Sequence, residues 1–352
     1  MSHFTVMVIG EQPGEQLAPF QENNMGSTPE KFLVFEDNEK QYRKEYEKGL
    51  TTRILMPNGE LKSPYDDMFK WVRKGSFLDE KYDYPPVCKK KRVPFKKIYA
   101  TFEEFMEDWH GTKCPDEKTG RYGHWYNPSA KWDWYALGGR WTGFFRMKPT
   151  ALNRALTGKP GLMTEEAKAG TADSALKEDI DFEWIRETKM EEAGRDWDAV
   201  HAVIKGRPVV SWQALQKTWG FKLRVFVSEV INQISLKLFD TRPLDEYTKI
   251  RKAYWNQQVI KDLVDARTPA GVSFDGPDRF LMPRKDYVAQ AGRRAFSTFA
   301  VIKDGKWFEK GSMGWWGMVS DEKDESIWLE EFDKMLNSLP GDTLLSVYDC
   351  HI

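Results

Sequence analysis

Cysteine is scarce in this sequence: Cys88, Cys114 and Cys350 are the three in 352 residues, too few and too far apart for a paired framework. Free thiols and a reducing compartment follow. No run of about 18 uncharged apolar residues occurs, which excludes a membrane-spanning helix. The opening MSHFTVMVIGEQ has neither a basic n-region nor a small-residue cleavage site, so a cytoplasmic location is expected. Charge of one sign is also missing, with 53 Lys plus Arg against 54 Asp plus Glu. A net charge of -1 carries no footprint of a dedicated nucleic-acid binder and no field of a DNA mimic, although local patches stay open.

The familiar catalytic signatures are absent as well. There is no GxxxxGK[ST] phosphate loop, GxSxG elbow, HExxH, paired CxxC or strand-anchored GxGxxG. Standard NTPase, α/β-hydrolase, zincin and dinucleotide-binding readings are therefore unsupported, and no cofactor is assigned. Cys88, His110, Cys114 and His124 hold the donor inventory of a structural zinc, but their spacing is irregular and no metal is expected.

What the chain has in excess is aromatic: 15 Trp, 13 Tyr and 21 Phe, 14% of all residues. Most must be core, since each ring buries roughly 150–250 Å². Five tryptophans, Trp109, Trp125, Trp132, Trp134 and Trp141, nevertheless crowd one short segment.

Both ends read as strands. His3 to Ile9 is apolar and β-branched and stops at Gly10, while Thr343 to His351 closes the chain after Pro340-Gly341-Asp342. Asp304-Gly305 between FSTFAVI and KWFEKG predicts a hairpin, and so does Pro57-Asn58-Gly59. Thr101 with Glu104 three residues on predicts a capped helix ending at Gly111. Trp328, Phe332, Met335, Leu336 and Leu339 mark an amphipathic helix over 324–338. Pro243 to Arg267 carries helical spacing, and a strand is expected over Trp141 to Met147, entered through Gly138-Gly139. Lys89-Lys90-Lys91-Arg92, with Lys96 and Lys97, reads as a solvated loop more readily than as a phosphate contact.

The expected fold is α+β, with an antiparallel sheet containing both termini that resembles the ferredoxin-like arrangement. Its segments are 1–149, the first part of the sheet domain with the Trp-rich loop; 150–290, a mainly helical insertion; and 291–352, the closing hairpin, helix and strand. Antiparallel pairing of the ends would bring His3 beside Asp349 and His351, a group suited to proton transfer. The alternative is that polar residues merely finish the strands. In KWDWYALGGRW, the residues Trp132, Trp134, Tyr135 and Trp141 offer flat faces, Arg140 a planar fork of donors, and Asp133 a partner for Arg140 or for a ligand. A structural Trp cluster ordered by an Asp133–Arg140 pair accounts for that segment equally well.

MSHFTVMVIG, KWDWYALGGRW, GWWG and DCHI together resemble an uncharacterised family of proteins carried by tailed bacteriophages and some bacteria. The resemblance covers the expected sheet domain and little of 150–290. It implies a phage or prophage setting and brings no activity or catalytic residues. Two functions are therefore weighed: binding or processing of a small anionic planar ligand such as a nucleotide, and non-catalytic binding of a host protein through exposed Trp.

Overall fold

The computed structural model describes residues 2–73, 80–83, 85–151, 155–162, 166–218, 242–272, 277–314 and 317–352. Its contacts separate into two compact units, one formed by Met1–Leu17 with Trp134–Ile352 and the other by Ala18–Asp133. These units are cut differently from the three segments read in the sequence, because the chain leaves the sheet just after β1 (His3–Ile9) and α1 (Pro13–Leu17) and returns at Trp134.

The Ala18–Asp133 unit holds strands β2 (Val34–Asp37), β3 (Leu50–Leu55), β4 (Leu61–Lys62), β5 (Lys70–Arg73), β6 (Glu80–Asp83), β7 (Lys89–Pro94) and β8 (Gly123–Tyr126). It also holds helices α2 (Glu39–Lys48) and α3 (Phe102–His110). The capping box forms as its sequence predicts: Thr101 accepts from the Glu104 N–H at 3.1 Å, the Glu104 carboxylate accepts from the Thr101 N–H, and Gly111 closes the helix at φ +69°. A core of Phe95, Tyr99, Phe102, Phe105, Met106 and Tyr122 absorbs much of the local aromatic excess. β3 and β4 make the hairpin expected around Gly59. The basic run is not a loop: Lys89–Arg92 lies in β7, paired antiparallel along β3, because Val93 and Ile54 give this two-strand register buried side chains.

The larger unit continues with β9 (Trp134–Gly139), β10 (Phe145–Arg146), β11 (Lys159–Pro160), β12 (Thr171–Ala172) and β13 (Ser174–Leu176). Helices α4 (Phe182–Ile204), α5 (Trp212–Thr218), α6 (Arg242–Trp255), α7 (Gln258–Asp265) and α8 (Arg284–Arg294) follow. The chain closes with β14 (Ala300–Lys303), β15 (Lys306–Glu309), β16 (Ser312–Met313), β17 (Val319–Ser320), α9 (Glu325–Asn337) and β18 (Leu344–His351).

The main sheet runs β11-β9-β18-β1-β14-β15, with β13 also on β18. β1 and β18 pair antiparallel over their whole length, from His3 opposite His351 to Ile9 opposite Leu345, so the expected pairing of the ends is present. The sheet is mixed, however, and this corrects the all-antiparallel, ferredoxin-like expectation: β14 lies parallel to β1 and β11 parallel to β9. The hairpin of β14 and β15, turning through Asp304 and Gly305 at positive φ, sits wholly on the far side of β1. The chain from β15 must then cross β14 and β1 through α9 to reach β18.

Met7, Ile9, Leu345, Val347 and Val301 share one face of this sheet, where Trp328, Phe332 and Leu336 of α9 pack on them. Burying such a side chain is worth about 1.5–3 kcal/mol, and the Trp328 N–H is satisfied by the Thr298 carbonyl at 2.9 Å. Between 182 and 294 the regular elements among the described residues are helical, and Val200, Ile204, Ile250, Tyr254, Ile260 and Phe280 form a second core there. The helical spacing read over 243–267 divides into α6 and α7 at Asn256 and Gln257. Most of the apolar stretch 209–239, and Trp315 and Trp316 of the GWWG segment, lie outside the described residues.

Candidate functional site

The β1–β18 register puts His3, Thr5, Met7 and Ile9 on the same sheet face as His351, Asp349, Val347 and Leu345. This face is apolar where α9 covers it and polar toward the chain ends. There the His3 Nδ1 lies 2.8 Å from Asp349 Oδ1, although 346 positions separate the two residues. Asp349 is 1% exposed. Its second oxygen accepts the Arg140 backbone N–H at 3.0 Å. An ionised carboxylate can only accept, so in that state Nδ1 of His3 is the donor of this bond.

His351 completes the group. It is 5% exposed, its ring centroid lies 4.9 Å from that of His3, and it stacks on the Trp134 indole at 5.2 Å and 17°. Trp134 also meets His3 edge-on at 5.2 Å and is itself 44% exposed. β9 delivers this indole because it pairs with β18, with Trp134 opposite His351 and Ala136 opposite Asp349. The strand expected after the glycines in fact precedes them, since the free edge of β18 selects 134–139, and of Trp141–Met147 Phe145–Arg146 forms a short strand with Met147 bridged to Ile180.

The glycine pair ends β9 at φ +69° and +52°. A Cβ on Gly139 would lie 2.4 Å from Cβ of Asp349, and one on Gly138 would lie 2.4 Å from Oδ2 of Asp173. Two buried carboxylates thus occupy the space that these side chains would need. Asp173, which sequence reasoning missed, is 0% exposed. It accepts the N–H groups of Gly143 at 2.7 Å, Phe144 at 3.0 Å and Gly158 at 2.8 Å. Its position explains the need: one side of β18 is covered first by β9 and then by β13, and Asp173 stands immediately before β13, where that changeover leaves main-chain donors without a ladder partner. The only trace of this in the sequence is an Asp among the small residues of TADSA.

The aromatic group read from KWDWYALGGRW does not converge on one point. Trp132 and Asp133 belong to the Ala18–Asp133 unit, where Trp132 is buried and bridged to Gln21. Trp134 and Tyr135 are successive strand residues and face opposite sides of the sheet, with Tyr135 edge-on to Tyr348 at 5.3 Å. Trp141 is half-buried, and the Arg140 side chain is exposed while its N–H is fixed by Asp349. The four zinc-type residues are also apart: His110 meets Glu45, His124 meets Asn38 and Glu36, Cys88 meets Met56, and Cys114 is exposed. Among the described residues no group of His, Cys, Asp and Glu could hold a metal ion.

Burial, then Tyr135 and Cys350, push the Tyr348 phenol up to about 12 from 10.0. Burial also drives the Cys350 thiol well above its usual range, with Asp349 adding to it. The raised Tyr348 value favours the neutral phenol in the folded state. Its stabilising contribution is complete below about pH 10 and is lost as the pH rises through about 12. Tyr42, Tyr99, Tyr122 and Tyr287 are also raised by burial, so a spectrophotometric phenol titration should show several tyrosines ionising late, and Tyr348→Phe should remove one phenol from that late phase and make the melting temperature less sensitive over this range.

No family model, curated protein or solved structure matches the chain. No helix among the described residues is long and apolar enough to cross a membrane. Two shallow depressions of about 400 and 360 Å³ lie along α8 and α4, lined in part by Asp286 and Arg293 and by Asp198 and Arg284, away from the strand-end group.

Proposed function

We propose that the strand ends of the larger unit form an acid–base site for a small anionic planar ligand, with a nucleotide as the class that suits it best. The observation that carries this reading is the 2.8 Å bond from His3 Nδ1 to a nearly inaccessible carboxylate, Asp349. An orienting carboxylate behind one ring nitrogen leaves the other for proton transfer. His351 supplies a second imidazole, and the half-exposed Trp134 supplies a face on which a base can stack. Arg140 supplies the charge for a phosphate, from a residue whose backbone Asp349 holds in place. In the phage or prophage setting that the resemblance implies, such a protein would be an accessory factor that binds or processes a nucleotide.

A thermal-shift series against nucleoside mono-, di- and triphosphates tests this, since a ligand that binds only the folded state raises its melting temperature. Arg140→Ala should weaken binding about ten- to a hundredfold with little change in the melting temperature of the free protein, because the side chain is exposed. His3→Gln should retain binding and lose any turnover. No shift with any nucleotide, or equal shifts in wild type and Arg140→Ala, would remove the reading.

One observation favours the host-protein alternative. Trp184 of α4 is exposed, with the Arg146 guanidinium 5.0 Å from its ring centre, and Trp with Arg is the side-chain chemistry enriched at binding hot spots. Under that reading Trp184→Ala, and not Arg140→Ala, would abolish co-purification of a host protein.

A further inference from the structure

We propose that the outer edge of β7, with Lys89, Lys91 and Arg92 along it and Trp109 beyond its end, is a docking line for single-stranded nucleic acid. Four consecutive cations in a solvated loop would scatter; in a strand they stand in two rows, Lys89 with Lys91 on one face and Lys90 with Arg92 on the other, about 6.6–6.8 Å apart within each row. All four are exposed. Among the described residues β7 pairs only with β3, and no described strand lies on its second edge. Lys89, Lys91 and Arg92 form no ion pair among the described residues, in contrast to Lys96, which meets Glu47.

The register places a further cation, Arg53, beside this row, its guanidinium donating to the Tyr99 hydroxyl at 3.4 Å. Arg53 of β3 stands directly opposite Lys91, and like charges across a ladder repel. A phosphate laid along this edge would relieve that repulsion. Phe95, the residue after β7, packs against Trp109 at 4.8 Å and 61°; the indole N–H of Trp109 donates to the Glu45 carboxylate at 3.2 Å, and the residue remains 44% exposed, so that a ring face is what it offers. A row of cations leading to an open indole is the combination that single-strand binders use, with charge tracking the backbone and a ring accepting an unstacked base. A duplex offers no free base to that ring. A membrane is flat and would meet one row alone, and an acidic peptide leaves the indole without a role. The cations of this edge are exposed, so the attraction is salt-sensitive.

The test uses the full chain and a fluorescein-labelled oligothymidylate of about 20 nucleotides, followed by anisotropy between about 50 and 200 mM salt. The expected result is binding whose logarithm falls linearly with the logarithm of salt concentration. The triple variant Lys89→Gln/Lys91→Gln/Arg92→Gln should reduce the slope by about 2, or about 0.7 per lost contact, with an unchanged melting temperature. If the triple variant does not fold, Lys91→Gln alone should reduce the slope by about 0.7 without lowering the melting temperature, because it removes the repulsion from Arg53. Trp109→Leu should weaken oligothymidylate binding and leave inorganic polyphosphate binding unchanged. No binding, a wild-type slope in the variants, or tighter binding of a duplex, of polyglutamate or of anionic vesicles would each overturn the proposal.

Discussion

Asp173→Ala is expected to be among the most destabilising single substitutions in the larger unit, lowering its stability by several kcal/mol. The carboxylate is wholly buried and is the acceptor for three backbone donors, from Gly143, Phe144 and Gly158. Stranding a buried donor costs about 1–3 kcal/mol, so three together cost about 3–6 kcal/mol if water relieves some of the loss. A domain of this kind has about 5–15 kcal/mol in total. Asp173→Asn retains one acceptor oxygen but turns an amide N–H toward a backbone N–H, and should lie between Ala and wild type. Urea denaturation of the three proteins measures this order. Asp173→Ala within about 1 kcal/mol of wild type would mean that other groups or water satisfy the loop.

Gly139→Ala should be nearly as damaging, and Gly59→Ala serves as its control. Both glycines have positive φ, +52° and +88°. Nothing lies within 4 Å of a Cβ on Gly59, so its substitution carries only the conformational cost of about 1 kcal/mol. A Cβ on Gly139 would in addition displace Asp349, and with it the bonds to His3 and to the Arg140 N–H. The expected loss is about 3–5 kcal/mol, among the largest for a single substitution. Nucleotide binding should fall in parallel in whatever fraction remains folded. Equal melting temperatures for the two variants would show that Asp349 can move aside at little cost.

The two variants differ because a glycine in a hairpin obeys a local rule and a glycine beside a buried carboxylate obeys a distant one. Gly59 is legible as a turn residue from Pro57-Asn58-Gly59 alone. Gly139 is also visible as a turn glycine, but nothing near it in the sequence names Asp349, which lies 210 positions away. The same division runs through the candidate site. Period-2 alternation in the last strand put Asp349 and His351 on one face, and the matching character of the two ends suggested His3 as their neighbour. The sequence groups Trp134 with Tyr135 as neighbouring flat faces, and the partner of Trp134, His351, follows only from the pairing of β9 with β18.

From the amino-acid sequence alone, the elements governed by short-range physics were determined: both terminal strands, the Asp304-Gly305 hairpin, the capped helix after Thr101 and the amphipathic helix α9. Each depends on residues within a few positions of one another, through turn geometry, capping bonds or a repeating apolar face. The tertiary structure decided the parallel placement of β14, the strand that holds Lys89–Arg92, the changeover from β9 to β13 and the work of Asp173. Those outcomes turn on which edge finds a partner and which buried N–H lacks one. Both are properties of the assembled sheet, fixed by residues that only folding brings together.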